Sequence, residues 1–192
     1  MSSNQIDMFG EPQPAWPDGF RYAAGVIDAP TEATVLEHVR ALPFRDFEFQ
    51  GYTANRRVIS FGWQYDFDAR RLRKADDMPD FLCELREHAA QFARMPASAL
   101  QHVLVMEYSP GAAIGWHRDK EVFGQVVGIS LLSPCTFRLR RAAGTGWQRV
   151  SLTAEPRSAY LLSGEAREEW EHSIPGVDEM RYSVTYRNLR DA

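Results

Sequence analysis

The chain has 192 residues, a length that fits one compact domain with a short appendage. Hydrophobic residues make up 44% and charged residues 25%, which is typical of a globular protein and excludes collagen, coiled coils and bulk disorder. The formal net charge is −4, so a nucleic acid partner would have to be bound by a local basic patch rather than by bulk charge. No apolar run approaches about 18 residues, and no membrane span is therefore expected.

Cysteine usage and the first residues bear on the cellular compartment. Cys83 and Cys135 are far apart and show no CxxC spacing, which favours two buried, reduced thiols over a disulfide or a zinc site. The N-terminal residues have neither the basic region nor the apolar region of a signal peptide. These features predict a cytoplasmic protein, and we expect a monomer.

Residues 1–19 are rich in proline and polar residues and show no periodicity, which predicts a flexible tail before a single domain over residues 20–192. The tail contains Gln5-Ile6-Asp7-Met8-Phe9. This segment resembles the peptide by which bacterial repair and replication proteins dock on the sliding clamp, with Gln5, Met8 and Phe9 as the contact residues. The alternative is a leader that packs Met8 and Phe9 onto its own domain.

Two helices are predicted in the first half of the domain. The first extends from about Thr31 to Leu42. Pro30-Thr31 is a helix start signal, one apolar stripe follows it, and Pro43 ends the helix. The second begins at Met78 or Pro79 and ends at about Arg94. A proline is favoured at the first position of a helix.

The remaining pattern is that of strands. Residues 44–67 contain short aromatic and β-branched runs broken by Gly51 and Gly62, and eight further strand-like runs follow residue 100. This spacing predicts a sandwich, jelly roll or barrel, a mainly β protein of the α+β class with two flanking helices outside one sheet. The eight runs are His102–Tyr108, Ile114–His117, Gln125–Leu132, Thr136–Arg140, Trp147–Leu152, Ser158–Leu162, Glu169–His172 and Tyr182–Asn188.

Three ligand-type residues stand on these predicted strands. His117 and Asp119 are two residues apart, so on an extended strand they share a face and can bind one ion. His172 can supply a third ligand from another strand. Two histidines and one carboxylate leave coordination positions open, as in non-haem Fe(II) oxygenases. Zinc and a surface pair at a strand end remain the alternatives.

The last predicted strand carries two arginines on one face. Arg181, Ser183, Thr185 and Arg187 alternate onto the same side. Arginines that point into a barrel need anions, and a small dicarboxylate would satisfy both. The alternative is an edge strand whose arginines face water.

Taken in order, these residues resemble the AlkB-like Fe(II)- and 2-oxoglutarate-dependent dioxygenases. The resemblance is best over residues 61–187 and implies a double-stranded β-helix (jelly-roll) core at about residues 100–190, with O2 as the oxidant. Met106 and Ser183 stand where the founding bacterial members carry asparagine. The residues that carry the resemblance are Tyr108-x-x-Gly111, Ile114, His117-x-Asp119, His172 and Arg181-x5-Arg187. The resemblance implies Fe(II) ligands at His117, Asp119 and His172, 2-oxoglutarate binding by Tyr108, Arg181, Ser183 and Thr185, and Arg187 near the carboxylate beside the iron.

The resemblance also implies an activity, oxidative demethylation of N-alkylated nucleobases with release of formaldehyde, and DNA repair as the leading role. The base would be extruded from single-stranded DNA or RNA. Residues 44–74 resemble a nucleotide-recognition lid, with Trp63 the principal stacking ring beside Tyr65, and Glu121 is placed to read the base edge. The alternatives are the same chemistry on methylated RNA or a protein side chain, and a metal- or nucleic-acid-binding jelly roll without turnover.

Cationic residues form two groups in this acidic chain. The first group flanks the lid-like segment and predicts a phosphate track, with a solvated basic face as the alternative. The second lies on a predicted hairpin. The first comprises Arg56, Arg57, Arg70, Arg71, Arg73 and Lys74, and the second Arg138, Arg140, Arg141 and Arg149.

Overall fold

The computed structural model of the chain describes residues 16–49, 52–66 and 71–190. Most of the predicted tail lies outside these residues, including Gln5, Met8 and Phe9, and so does Arg70. The strands are β1 (Phe20–Ala23), β2 (Arg45–Phe49), β3 (Tyr52–Phe61), β4 (Trp63–Asp66), β5 (Arg71–Lys74), β6 (Leu100–Tyr108), β7 (Ile114–His117), β8 (Phe123–Leu131), β9 (Cys135–Ala143), β10 (Gly146–Ala154), β11 (Ala159–Leu162), β12 (Glu171–Ile174) and β13 (Arg181–Leu189). The helices are α1 (Ala29–Arg40), α2 (Asp80–Ala93) and α3 (Gly164–Glu168), with a 3₁₀ turn at Ala97–Ala99.

Two antiparallel sheets face each other and enclose the site. The major sheet has seven strands in the order β1-β11-β8-β13-β6-β3-β2, and the minor sheet has four in the order β10-β9-β12-β7. A separate hairpin, β4–β5, extends from the end of β3. The mainly β, jelly-roll prediction is confirmed.

The two predicted helices pack on the outer side of the major sheet. The side chain of Asp28 accepts a hydrogen bond from the backbone N–H of Thr31 at 2.8 Å, which caps α1 and begins it two residues earlier than predicted. Arg94, in the left-handed region at φ +59°, ends α2. The hydroxyl of Tyr186 donates to the carbonyl of Leu82 at 2.7 Å and ties β13 to α2. No helix among the described residues is long and apolar enough to cross a membrane.

Strand β13 lies between β8 and β6 in the middle of the major sheet. Tyr182, Val184 and Tyr186 point to the helices and join the core there. Arg181 and Arg187, on the other face, are 2% and 7% exposed. The edge-strand alternative is therefore wrong, because water does not reach these arginines from an open edge.

Three short strands or helices, β1, β5 and α3, were not predicted. β1 has four residues and pairs with β11, and α3 has five residues and precedes β12. Elements of this length are too short for a hydrophobic period to develop. Because α3 holds the chain beside the cavity described below, its omission matters more than that of β1.

Gly62 sets the direction of the β4–β5 hairpin. Its φ is +77°, and a Cβ at this position would lie 2.2 Å from the carbonyl oxygen of Gln101. Its backbone also bonds Asp76 and Ala75 at the base of the hairpin, at 2.7 and 3.1 Å. Glycine is required here because the chain turns out of the major sheet in close contact with the neighbouring backbone.

Candidate active site

A cavity of about 1240 Å³ opens between the two sheets. It reaches from exposed residues of the β4–β5 hairpin to the inward face of β13. His117, Asp119 and His172 are among the residues that line it. A volume of this size is sufficient for a small-molecule ligand together with part of a second substrate.

The pairing of β7 with β12 brings the two predicted histidine ligands together. His172 lies directly opposite His117 in the register, and their rings are 4.2 Å apart. Asp119 follows β7 by two residues, and its Oδ1 lies 3.6 Å from Nε2 of His117 and 4.0 Å from Nε2 of His172. One ligand atom from each residue lies within 4.8 Å of the other two, a spacing that a single bound cation can span.

Both imidazoles present a lone pair at this point. Nδ1 of His117 donates to the carbonyl of Gly115 at 2.9 Å, which leaves Nε2 as the acceptor. Burial, assisted by the neighbouring His117, lowers the pKa of His172 to about 3. An uncharged imidazole is the form that binds a metal ion.

The two oxygens of Asp119 have different partners. Oδ2 accepts a hydrogen bond from Nε of Arg187 at 2.7 Å, whereas Oδ1 faces the imidazoles. Burial alone would raise the pKa of Asp119, but the charge of Arg187, together with its hydrogen bond to Oδ2, outweighs burial and holds the pKa well below its usual range. One carboxylate and two neutral imidazoles fit a divalent transition metal such as Fe(II).

A second buried arginine holds the loop that carries Asp119. Arg167, from α3, donates to the backbone carbonyls of Lys120, Phe123 and Gly124 at 2.8 to 2.9 Å. No sequence motif indicates this contact, because it depends on a single arginine in a five-residue helix. The three bonds fix the loop to α3.

Arg181 lies at the inner end of the cavity with unused hydrogen-bonding capacity. Its Nη2 donates to Oγ of Ser130 at 2.8 Å, and its guanidinium carbon lies 4.6 Å from the ring centre of Tyr108. Nε and Nη1 are buried, and neither has a hydrogen-bond partner among the described residues. The hydroxyl groups of Tyr108 and Ser183 lie 3.3 Å apart beside it. Buried N–H groups of a cation without acceptors fit the carboxylate of a ligand such as 2-oxoglutarate.

Two further lining residues were missed in the sequence. His102 is buried, its Nδ1 lies 3.3 Å from Nη1 of Arg187, and burial together with that guanidinium lowers its pKa well below the usual value. Tyr160 lies directly opposite Gly128 in the register of β11 and β8, and its ring covers the glycine. A glycine opposite an aromatic residue on adjacent strands was the one signal that could have located Tyr160.

Of the residues predicted to contact the base, one lines the cavity and two do not. Tyr65 lines the cavity, with the ammonium nitrogen of Lys120 5.6 Å from its ring centre. Trp63, at the base of the hairpin opposite Lys74, is not among the residues that line the cavity. Glu121 is exposed and is also absent from the lining. Tyr65 is therefore the ring that lies at the cavity, and base stacking by Trp63 stays a prediction from the sequence.

The two arginines of the predicted phosphate track that lie on β3 also differ, because only one of them lines the cavity. Arg56 lines the cavity and donates to the carbonyl of Ala113 at 3.1 Å, and burial lowers its pKa. Arg57, the next residue on the strand, points to the opposite face and pairs with Glu107 at 2.7 Å. Neighbouring residues of a strand cannot both face one groove, so Arg57 is removed from the track.

On the β4–β5 hairpin, too, only one of the two predicted arginines that the structure describes lines the cavity. Arg73 lines the cavity, and its Nη2 donates to Oε1 of Gln64 at 3.3 Å. Arg71 is exposed but is not a lining residue.

Comparison with known proteins agrees with the fold and with this site. Residues 20–190 match the family model of the 2OG-Fe(II) oxygenase superfamily. The "Alkylated DNA repair protein ALKBH8 homolog" of Arabidopsis thaliana is 27% identical over 192 residues, which cover 86% of this chain and 56% of that protein. The mouse "tRNA (carboxymethyluridine(34)-5-O)-methyltransferase ALKBH8" is 23% identical, over 83% of this chain and 24% of that protein.

The chain thus spans about half the length of the Arabidopsis relative and a quarter of the mouse one. Among solved structures, that of OsALKBH1 superposes with a TM-score of 0.67 at 16% identity, over 92% of this chain and 99% of that one. The family uses Fe(II), 2-oxoglutarate and O2, which agrees with the donor set and the buried arginine described above. The chain belongs to the 2OG-Fe(II) oxygenase superfamily, and within it the chain is similar to the AlkB homologues named above.

Proposed function

We propose that this dioxygenase removes N-linked methyl groups from nucleobases in single-stranded nucleic acid, with alkylated DNA as the principal substrate. His117, Asp119 and His172 bind the iron, and Arg181, Tyr108, Ser183 and Thr185 bind 2-oxoglutarate. With O2, the bound cofactors supply oxidation of an N-methyl to an N-hydroxymethyl group, together with succinate and CO2. The hydroxymethyl group then leaves as formaldehyde.

The distribution of charge at the cavity opening is the observation that carries the substrate proposal. Five exposed lining residues are cationic in a chain of net charge −4, and two exposed lining residues of the described chain are acidic. This excess of cations attracts a polyanion to the opening. The cationic residues are Arg45, Arg73, Lys74, Arg118 and Lys120, and the acidic ones are Asp46 and Asp76.

The chain's own residues would prepare the site in three ways. Arg187 holds one oxygen of Asp119 and directs the other to the metal position. Arg181 offers its unpaired N–H groups to the far carboxylate of 2-oxoglutarate. Tyr65 lies at the opening where an extruded base can stack, a contact typically worth about 1–3 kcal/mol per base.

Formaldehyde release from N-methylated oligonucleotides tests the proposal directly. DNA and RNA strands of the same sequence should be compared, since the name of the mouse relative concerns a tRNA uridine and makes methylated RNA the second candidate. Release that depends on 2-oxoglutarate and is lost in His172→Ala is the expected result. Turnover of 2-oxoglutarate without formaldehyde from either strand would contradict the proposal and favour another substrate, such as a protein side chain.

The stacking role can be tested separately with a matched pair of variants. Tyr65→Ala should weaken binding of a methylated strand by about 1–3 kcal/mol, because the base loses its aromatic neighbour. Trp63→Ala, two residues away on the same hairpin, should change it less. If Trp63→Ala weakened binding more than Tyr65→Ala, Trp63 would be the ring that stacks on the base.

Docking of Gln5, Met8 and Phe9 on the sliding clamp stays a prediction from the sequence, because these residues lie outside the described part of the chain. Titration of labelled clamp with the wild type and with Gln5→Ala/Phe9→Ala tests it. Micromolar binding by the wild type alone is expected. Equal binding by both proteins would contradict it.

A further inference from the structure

The outer face of the minor sheet, which points away from the cavity, carries alternating cationic and aromatic side chains. On β9, Phe137 and Leu139 are buried between the sheets, so Arg138 and Arg140 point outward. We call this set of side chains the outer band. It consists of Trp116 on β7, Arg138 and Arg140 on β9, and Trp147 and Arg149 on β10.

The guanidinium of Arg140 lies between two indole rings. Its Cζ is 4.4 Å from the ring centre of Trp116 and 4.0 Å from that of Trp147. The Cζ of Arg138 lies 4.9 Å from the ring centre of Trp116, and its Nε donates to Oγ of Ser173 at 3.0 Å. These contacts hold the two arginines across β12 and fix the geometry of the band.

The band has more positive charge than its acidic neighbours can neutralise. Arg140 lies directly opposite Arg149 in the register of β9 and β10, and like charges in this position destabilise a sheet. Glu171 pairs with Arg140 at 2.6 Å. Within the described residues, no carboxylate lies within ion-pair distance of Arg138 or Arg149. An arrangement of this kind is relieved when an anion binds beside it.

Arg141, which the sequence grouped with these arginines, does not belong to the band. It points to the other side of β9, where it pairs with Glu165 at 2.7 Å and Glu169 at 3.0 Å. Its charge is therefore already compensated. The structure thus separates the hairpin arginines into one neutralised residue and three on one face.

Trp147 adds an exposed aromatic surface to this charge. It is 43% exposed, although large hydrophobic side chains are usually buried or screened. Arg140 covers one part of its ring, and Arg149 lies two residues along the same face. An open indole beside guanidinium groups is the combination that binds a base by stacking and its phosphates by charge.

We propose that the outer band binds the single strand that flanks the reacting base, so that it extends the substrate site beyond the cavity. The proposal rests on the proposed function. Trp116 connects the two regions along the chain, because it belongs to the band and directly precedes His117 on β7. An acidic peptide would satisfy the arginines but would leave the exposed indole of Trp147 without a planar partner.

Binding of unmethylated strands tests the band without any need for turnover. Labelled single strands of about 12 nucleotides, as DNA and as RNA, should be titrated in parallel with a trinucleotide that is too short to reach both regions. Trp147→Ala should weaken binding of the long strands by roughly 5- to 100-fold. Trp147→Phe should restore most of the affinity.

Arg149→Gln should lower the dependence of log K on log salt by about 0.7, the value of one phosphate contact on a single strand. The matched control is Arg40→Gln, which removes the same charge from the exposed end of α1 on the other side of the major sheet. Affinity and salt dependence should be unchanged in this control. Equal effects of Arg40→Gln and Arg149→Gln would show that only the net charge of the protein affects binding, which would overturn the proposal.

The outcomes separate this inference from the proposed function. Long-strand affinity that is the same in the wild type and Trp147→Ala overturns the inference, whatever the demethylation assay shows. Failure to bind the long strands at all overturns it too. Binding that depends on Trp147 and Arg149, without formaldehyde release from any methylated strand, supports the band and contradicts the proposed demethylation.

Discussion

At the scale of single residues, the geometry of the metal position depends on how Asp119 is held. Its Oδ2 is bound by Arg187, so Oδ1 remains for the metal. Removal of a group that orients a metal ligand typically costs about 10- to 100-fold in metal affinity. We therefore expect Arg187→Gln to weaken Mn(II) binding, used as a stand-in for Fe(II), by that factor in a calorimetric titration.

Arg181→Gln is the matched control for this prediction. Arg181 lies on the same face of β13 and is also buried, but it contacts Ser130 and Tyr108 rather than Asp119. The control should keep its Mn(II) affinity and lose affinity for 2-oxoglutarate. If both variants lost metal affinity equally, the effect would come from the strand and not from the orientation of Asp119.

The contact between Tyr160 and Gly128 allows a second test at this scale. A Cβ on Gly128 would lie 2.3 Å from Cε1 of Tyr160, so Gly128→Ala must displace the ring. Overpacking of this kind costs about 1–3 kcal/mol in the free energy of unfolding. In a Tyr160→Leu background the cost should shrink, because the clashing ring is gone. Urea unfolding of the four proteins measures the coupling, and additive effects would contradict the contact.

At the scale of elements, α3 is small but holds the metal-binding loop through one side chain. Arg167 donates to three backbone carbonyls of the loop that follows Asp119. Arg167→Ala should therefore lower the free energy of unfolding by about 2–4 kcal/mol, since buried carbonyls lose a charged donor. Arg141→Ala, which removes partly exposed ion pairs from the same region, should cost about 1 kcal/mol or less. Chemical unfolding of both variants decides between these expectations.

The elements also show what the sequence could predict. β13 alternates two arginines with apolar residues, and this period was sufficient to place both arginines on one face, which the structure shows to be the buried inner face. The eight strands after residue 100 were located because turn residues separate them. The helices were found from one apolar stripe each. The helices and β13 were therefore recognised from a period, whereas the four-residue strands β7, β11 and β12 were recognised from the turn residues that bound them.

The rest could not be predicted, because the sequence does not show where each individual side chain points. Arg56 and Arg57 were grouped because they are adjacent, yet adjacency on a strand sends them to opposite faces. Trp63 was preferred to Tyr65 by residue type, whereas the hairpin geometry decides which ring reaches the cavity. The contacts of Arg167 and Tyr160 join positions that are distant in the chain, and no local pattern encodes them.

At the scale of the whole molecule, charge is separated rather than simply negative. The acidic total hides a cationic cavity opening and a cationic outer band on the minor sheet. A polyanion would consequently be attracted to these two regions in spite of the net charge of −4, and the salt dependence of binding reports this attraction.

Burial of uncharged histidines gives the fold itself a pH dependence. In an unfolded chain an imidazole takes up a proton below about pH 6.5. In the folded chain the pKa of His172 is about 3, and burial and Arg187 hold the pKa of His102 well below its usual value. Between about pH 6.5 and 4 the unfolded state therefore binds more protons, and the free energy of unfolding falls as the pH falls.

Urea unfolding of the metal-free protein at pH 7, 6 and 5 measures this slope. Each fully uncharged histidine contributes up to about 1.4 kcal/mol per pH unit. His102→Gln removes one of the two groups without touching a metal ligand, so its slope should be smaller than that of the wild type by up to this amount. Asp119 acts below this window, since carboxylates of an unfolded chain protonate near pH 4. Parallel slopes in the two proteins would show that His102 takes up its proton as readily in the fold as outside it.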